Sequence, residues 1–341
     1  MEIRGYGDYG FRTGDLAVMG FGQVLRRIFY FLGVKRTMER AIDEWKPDAV
    51  CTVDYPGLNL KLAAYAKKKG IRTVHVVCPQ VWAWKKGRIP KIEAALDKLC
   101  CFFPFEPELF KPGFAEFVGH PLVDEMGDEV ERRGGGGQRN EKLLALLPGS
   151  RLGEIEKHLP TLLEVVETLQ KEIPDLKVVI PAANDKAYAK IACISSLIPH
   201  PSSLSITHGG ARAALRDATA AVVASGTATL EAALAGCPTV LVYKVGWLFA
   251  FLARRFIKGV RHIGLANIIA EKAGKQCPMP ELLQEDFTAE KVLAVLRPLL
   301  EREEANAIAR ALLNETMKLL RSDGGAISRI ADRVLGQNSP T

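Results

Sequence analysis

Ala221-Val222-Val223-Ala224-Ser225-Gly226-Thr227-Ala228-Thr229-Leu230-Glu231-Ala232-Ala233-Leu234-Ala235-Gly236 joins an apolar run to a tight Ser-Gly-Thr turn and an Ala-rich segment closed by glycine. The run reads as a buried strand and the segment after the turn as a short helix with Gly236 at its C-cap. A helix start that presents free backbone N–H groups beside small hydroxyls suits a bound phosphate. Glu231, about one turn further on, is placed to accept a bond from a sugar or ribose hydroxyl. No GxGxxG follows any predicted strand, so the pattern points to nucleotide-sugar chemistry rather than to redox chemistry. An ordinary βα turn carries the same local signature, and the surrounding chain has to decide.

Outward from this stretch, strand and helix patterns alternate. Upstream of residue 120 the predicted strands are 49–53, 73–77, 99–103 and 116–118, with helices over 58–69 and 89–96. Residues 16–32 are apolar and partly helical in pattern, and a further helix is expected around 35–45. The tract Gly134-Gly135-Gly136-Gly137 reads as a linker. Beyond it, strands are expected over 142–147, 177–180, 220–224 and 239–243, and helices over 154–172, 183–194, 228–234, 289–304 and 305–321. Alternation on both sides of one linker predicts an α/β protein with two Rossmann-like domains facing a cleft. The expected boundaries are 1–132 for the first domain, 133–140 for the linker and 141–320 for the second domain. The tail 321–341 is expected to pack back on the first.

The chain has 341 residues, enough for two cores, and a formal net charge of +7 that favours an anionic partner. Seven cysteines without a CxxC argue against a disulfide framework or a zinc site. Cys51, Cys78, Cys193 and Cys237 read as small core residues, and the vicinal Cys100-Cys101 ends a predicted strand. No apolar stretch reaches transmembrane length. The first ten residues read as neither a secretory signal nor a transit peptide nor a strand.

Several segments carry candidate chemistry. Asp54, just past the strand 49–53, is placed either as a general base at a strand's carboxyl end or as a helix N-cap before Pro56. Cys78-Pro79-Gln80-Val81-Trp82-Ala83-Trp84-Lys85-Lys86-Gly87-Arg88 mixes tryptophans with cations. Such a loop suits an amphiphile, with Gln80, Trp82, Trp84, Lys85 and Arg88 as contacts, or it plugs the domain with its rings. In Leu147-Pro148-Gly149-Ser150-Arg151, Ser150 is the expected cap, and Arg151 at a helix start is unfavourable for the helix and so hints at a diphosphate. The segment 245–258, with Trp247, Phe251, Arg254, Arg255 and Lys258, reads as a helix lying on anionic lipid or as a buried helix with basic ends. His120 in Gly-His-Pro reads as structural, and the six histidines show no metal spacing. HExxH, Walker and GxSxG motifs are all absent.

Taken together, these segments resemble the lipid-A-disaccharide synthase family of GT-B glycosyltransferases. The resemblance rests on Leu16-Ala17-Val18-Met19-Gly20, Val53-Asp54-Tyr55-Pro56-Gly57-Leu58-Asn59-Leu60 and Pro79-Gln80-Val81-Trp82-Ala83-Trp84. It extends through Phe103-Pro104-Phe105-Glu106, Val118-Gly119-His120-Pro121, Leu147-Pro148-Gly149-Ser150-Arg151 and Ala224-Ser225-Gly226-Thr227-Ala228-Thr229-Leu230-Glu231. Val242-Tyr243-Lys244-Val245, Gly264-Leu265-Ala266-Asn267-Ile268 and Pro280-Glu281-Leu282-Leu283-Gln284 complete it. It implies inverting transfer from UDP-2,3-diacylglucosamine to 2,3-diacylglucosamine 1-phosphate, with no metal or other cofactor and no nucleic-acid partner. It further implies a peripheral protein on the cytoplasmic side of an inner membrane or an organellar equivalent, and a possible homodimer. Asp54 would be the base; Arg151, Ser225, Gly226, Thr227, Glu231, Tyr243, Asn267 and Gln284 would contact the UDP-sugar. The family's second carboxylate, three residues after Asp54, is Gly57 here. The family's opening strand and Ser-Ala-Gly-Glu-x-Ser-Gly-Asp loop are not found, so the first domain is expected to lack its first βαβ portion. A catalytically impaired UDP- or lipid-binding remnant is the competing reading. Another UDP-sugar enzyme, such as a 2-epimerase, is a third, against which the Trp-Ala-Trp loop counts.

Overall fold

The computed structural model describes residues 3–9, 28–83, 86–132, 140–196, 203–246 and 261–337. The chain divides into two compact units, Met1–Gly119 with Ser322–Thr341, and His120–Arg321. The division thus falls at Gly119, ahead of the expected boundary at residue 132. The glycine tract at 134–137 lies outside the described residues, as does the segment 16–20.

The first unit is built from α1 (Ile28–Trp45), β1 (Ala49–Val53), α2 (Pro56–Lys68), β2 (Arg72–Val76), α3 (Ile89–Ala95), β3 (Lys98–Cys101) and β4 (Ala115–Phe117). Its strands pair in parallel in the order β1-β2-β3-β4. The period of two along β3 sends Leu99 and Cys101 to one face and Cys100 to the other. Leu99 and Cys101 join Ala63, Ile92 and Phe114 in one core cluster. Cys100 joins Val74, Val76 and Val118 in another. The vicinal cysteines therefore point apart and do not form a redox pair.

The second cluster is covered by α12 (Ala326–Leu335), whose Ile330 and Val334 pack on it. The helix is fastened by charge as well as by apolar contact. Glu116 on β4 accepts from Arg333 Nε at 2.6 Å and Nη2 at 2.8 Å, and from Arg329 Nη2 at 2.8 Å. Arg72 on β2 donates twice to the Arg333 carbonyl. Gly119 adopts φ +89°, and a side chain there would run into Ser322, whose hydroxyl donates to the Val118 carbonyl at 2.6 Å.

The second unit comprises α4 (Pro121–Arg132), β5 (Asn140–Leu147), α5 (Leu152–Glu172), β6 (Lys177–Ala182), α6 (Asp185–Ser195), β7 (Leu204–His208), α7 (Ala211–Asp217), β8 (Ala218–Ala224), α8 (Thr227–Leu234), β9 (Thr239–Tyr243), α9 (Leu265–Lys272), β10 (Glu281–Leu283), α10 (Ala289–Glu301) and α11 (Glu303–Lys318). The strands are parallel in the order β10-β9-β8-β5-β6-β7. The central strands are apolar on both sides, as a parallel sheet covered on both faces requires. Leu144, Leu146, Val222 and Val240 meet Ile155, Leu159 and Leu162 of α5 and Val292 and Leu296 of α10 in one core. Helix α4 belongs here because its Val123 and Met126 are buried and it packs on α8. Its charged sequence hid that apolar stripe. Strands β7 and β10 and helices α7 and α9 are short and carried no strong pattern.

Glu116 tests the docking of α12. Its bonds from Arg333 first, and then from Arg329, hold its carboxyl below the usual glutamate range against the upward push of burial. A lowered folded pKa stabilises above the ordinary value of about 4.3, and that stabilisation is lost as pH falls through the folded value. Glu116→Gln is expected to cost about 1–3 kcal/mol. Hydrogen exchange of the α12 amides should accelerate in the variant at pH 7, and the difference from wild type should shrink at acid pH.

Candidate functional site

In the second sheet the chain leaves β5 in one direction toward β6 and β7 and returns on the other side as β8, β9 and β10. The reversal lies between β5 and β8, where Leu146 pairs with Val222 and Leu147 with Val223. In open parallel sheets such a switch point leaves a crevice beyond the carboxyl ends of the strands, because the two crossover helices depart to opposite faces. The two stretches singled out from the sequence, Leu147–Arg151 and Ala224–Thr227, are the two chain segments that leave this point. Each opens a helix.

The turn after β8 is open. Ser225 is half-buried, and Gly226 and Thr227 are exposed. Gly226 has φ 150°, which favours glycine, and α8 starts directly after it. Thr229 folds back, its N–H and hydroxyl donating to the Gly226 carbonyl at 3.1 and 2.8 Å. Helix geometry leaves the N–H groups of Thr227 and Ala228 without intrahelical acceptors, so the dipole's positive end and these donors face the same place.

Across the switch point, α5 begins at Leu152 with Arg151, not Ser150, as its N-cap. Arg151 Nη1 donates to Glu154 Oε1 at 2.5 Å, and Glu154 Oε2 accepts from the Arg151 N–H at 3.4 Å. The guanidinium remains 55% exposed while its carboxylate partner is 15% exposed. Glu154 thus anchors a cation whose other face is open. Gly149, at φ 123°, passes so close to Glu154 that a Cβ would stand 2.7 Å from its Cβ.

His158, which the sequence reading passed over, ties this loop to the end of β9. Its ring is fully buried, with Nδ1 2.7 Å from the Pro148 carbonyl and Nε2 2.9 Å from the Lys244 N–H. A backbone N–H needs an acceptor and a carbonyl needs a donor, so the ring is neutral with its proton on Nδ1. Burial lowers its pKa in agreement. Tyr243 and Phe287 each lie 5.7 Å from the imidazole, ring centre to ring centre. Tyr243 is half-buried at the mouth, and burial followed by the nearby Glu154 raises its phenol pKa.

Glu231 lies half-buried on α8 and is not alone. Its Oε1 accepts from Arg212 Nε at 2.9 Å, and Arg212 Nη1 donates to Glu125 Oε1 on α4 at 2.7 Å. Gln284 adopts φ +54° after β10, and its Oε1 accepts from the Val245 N–H at 3.4 Å. Asn267 requires a correction. It is fully buried, its Oδ1 accepts from the Met279 N–H, and its Nδ2 donates to the Met279 carbonyl and to Glu281. It fastens α9 to the segment before β10 and presents no polar group to a ligand here.

In the first unit, Asp54 follows β1 and is exposed. It does not cap α2: the N-cap is Tyr55, with no side-chain capping bond. Asp54 and Tyr55 are consecutive left-handed residues, at φ 49° and 46°, and Val77 after β2 is at φ 76°. Three such non-glycine residues at neighbouring strand ends are costly, and backbone strain of this kind gathers at functional sites. Asn59 holds the turn by donating to the Val53 and Asp54 carbonyls at 2.9 and 2.8 Å. His75 lies buried on the adjacent β2, hydrogen-bonded through Nδ1 to Thr52 Oγ1 at 2.7 Å. Burial pushes its pKa down to about 4, against the pull of the Asp54 charge.

The tryptophan loop divides. Trp82 is buried, its Nε1 donating to Glu106 Oε1 at 3.3 Å and its ring edge-on to Phe105. It is a plug of the domain and not a lipid contact, which corrects one of the two sequence readings. Gln80 is exposed and Arg88 half-buried. Trp84, Lys85, Trp247, Phe251, Arg254, Arg255 and Lys258 lie outside the described residues. Among the described residues, Cys78, Cys101 and Glu106 bring three potential metal donors within 4.8 Å of one another. Burial pushes Glu106 up to about 8, and the Cys101 thiol is held far above its usual range first by its bond with Cys78 and then by burial. The three lie buried together, with Glu106 accepting from Trp82.

The family model described as Lipid-A-disaccharide synthetase matches residues 8–327. The lipid-A-disaccharide synthase of Anaeromyxobacter sp. (strain K) is 37% identical over 329 residues, covering 94% of this chain and 84% of its own length. That of Burkholderia mallei (strain NCTC 10229) is 40% identical over 318 residues, covering 89% and 78%. Among solved structures, a putative UDP-N-acetylglucosamine 2-epimerase from Listeria monocytogenes superposes with a TM-score of 0.60 at 15% identity, over 94% of this chain and 84% of its own. The glycotransferase of kitacinnamycin gives 0.63 at 15% identity and the same coverages. At that identity the shared feature is the GT-B fold.

The histidine tie is open to test. His158→Ala removes two hydrogen bonds and leaves a cavity, for an expected loss of about 2–4 kcal/mol at pH 7.5. Because the folded pKa is depressed, the unfolded chain binds the extra proton first, and the tie weakens as pH falls below about 6.5. Urea unfolding of wild type and variant should therefore converge between pH 7.5 and pH 5.

Proposed function

The chain belongs to the lipid-A-disaccharide synthetase family and is a glycosyltransferase of lipid A biosynthesis, and on that premise we propose that it transfers 2,3-diacylglucosamine from its UDP derivative to 2,3-diacylglucosamine 1-phosphate. The observation that carries this reading is the meeting of the Leu147–Arg151 loop and the Ser225-Gly226-Thr227 turn at the reversal between β5 and β8. Two helix N-termini and one guanidinium converge there, which suits a diphosphate leaving group.

In this reading UDP departs as charge builds on its β-phosphate. Arg151, aimed by Glu154, and the free N–H groups at the start of α8 stabilise that charge without reorganising. Glu231 accepts from the ribose, and Tyr243 and Gln284 border the nucleotide. Asp54 takes the proton from the acceptor 6-hydroxyl as it attacks the anomeric carbon from the face opposite UDP. The C–O bond to the acceptor forms while the C–O bond to UDP breaks, so configuration inverts through an oxocarbenium-like state. Asp54 is suited to this part because it is exposed at a strand end and held in a strained turn by Asn59, not engaged as a cap. No helix among the described residues is long and apolar enough to cross a membrane. Acylated substrates would then be met at a lipid surface, for which Trp247, Phe251, Arg254, Arg255 and Lys258 supply aromatic and basic groups.

Asp54→Asn is the first test of the mechanism. Loss of a positioned general base should lower kcat by about 10²–10⁴-fold, with UDP affinity by calorimetry little changed. Full turnover in that variant removes Asp54 from the mechanism. Failure of the unaltered chain to form disaccharide 1-phosphate and UDP from the two monosaccharides overturns the substrate assignment.

A further inference from the structure

The Gly209-Gly210 turn after β7 has both residues left-handed, at φ 70° and 80°, and delivers the chain into α7 with Arg212 in its first turn. A cation there opposes the helix dipole, so the helix itself gains nothing from it. Arg212 instead reaches two carboxylates on two other helices, Glu231 of α8 and Glu125 of α4. Its side chain is 34% exposed, against 18% for Glu231 and 59% for Glu125. The two bonds, with that to Glu125 the larger influence, push its pKa above even the usual arginine range.

We propose that Arg212 is a positioning residue for nucleotide recognition, which holds Glu231 in the rotamer that reads the ribose and cancels the charge that Glu231 would otherwise turn on the diphosphate. The inference rests on the reading of Glu231 as the ribose contact. Arg212 Nε takes one carboxylate oxygen, Oε1, and so leaves Oε2 to accept from a ribose hydroxyl. The chemical conflict in the site is plain: a carboxylate stands on the second turn of the same short helix whose first turn is to hold a dianionic diphosphate. Like charges at that range repel appreciably in a partly dry site. A guanidinium bonded to the far side of Glu231 removes the repulsion and keeps the acceptor. Glu125, on the opposite arm of the guanidinium, fixes the direction of the fork. A lysine in place of Arg212 would supply the charge without the two-armed geometry.

The test compares binding of UDP and 2′,3′-dideoxy-UDP to the full-length chain by calorimetry. Hydrogen bonds from ribose hydroxyls to a charged acceptor should give the unaltered protein a preference for UDP of about tenfold or more. Arg212→Gln and Glu231→Gln should each collapse that preference to within about twofold, and the double variant should lose nothing further. Glu125→Gln, which frees the guanidinium but keeps its charge, should give an intermediate preference, as should Arg212→Lys. Circular dichroism of each variant shows whether it is folded, and the Glu125 and lysine variants carry the test if Arg212→Gln is not. Equal weakening of both nucleotides in Arg212→Gln overturns the proposal and makes Arg212 a plain anion contact or a structural link. A preference that survives in Glu231→Gln defeats the ribose reading of Glu231, and the positioning role falls with it. Loss of preference in Glu231→Gln with retention in Arg212→Gln overturns the positioning role alone.

Discussion

The parallel pairing of β5 with β8 is the constraint on which the functional part of the molecule depends. Parallel strands cannot be joined by a tight turn, so each crossover must carry a helix over one face of the sheet. Placing β8 on the far side of β5 makes the crossovers diverge, and the strand ends there are left uncovered. Everything proposed for the nucleotide follows from that gap. Arg151 and the Ser-Gly-Thr turn are more than 70 residues apart in the chain and adjacent only because Leu147 pairs with Val223.

The gap is then stiffened by polar links that a sheet alone does not provide. His158 spans from the loop after β5 to the end of β9, and its single neutral tautomer satisfies a carbonyl and an N–H at once. Gln284 draws the end of β10 toward Val245 in the same neighbourhood. Glu281 and Asn267 close the base of α9 with every polar atom matched. Buried groups of this kind are expensive when unmatched and rigid when matched, which is what a site that must stabilise charge without reorganising requires.

The first unit meets a different demand. Its sheet has apolar residues on both faces, and one face is covered only when the chain returns as α12. The Glu116–Arg333–Arg329 cluster and the Gly119–Ser322 approach fix that return. At the carboxyl ends of β1 and β2, Asp54, Tyr55 and Val77 hold strained backbone close in the chain to the buried His75. Asn59 holds that turn through the Val53 and Asp54 carbonyls, and the Asp54 carboxylate stays exposed.

Much of this was legible in the chain. The strands 49–53 and 239–243 were readable to the residue, because continuous β-branched and apolar runs bounded by turn residues have few other solutions. The motifs at Leu147–Arg151 and Ala224–Glu231 were readable because helix starts demand particular residues. What the sequence left open was the fate of side chains that suit two environments. Trp82 and Asn267 have the chemistry of ligand contacts, but burial and complete hydrogen bonding make them internal struts. Arg212 and His158 carried no local signal, since their partners are distant in the chain. The one-dimensional pattern determines secondary structure and turn chemistry, which are set within a few residues. The pairing of strands, and with it the matching of each polar atom, is decided only when distant segments are brought into contact, because the cost of burying a polar group depends on what it meets there.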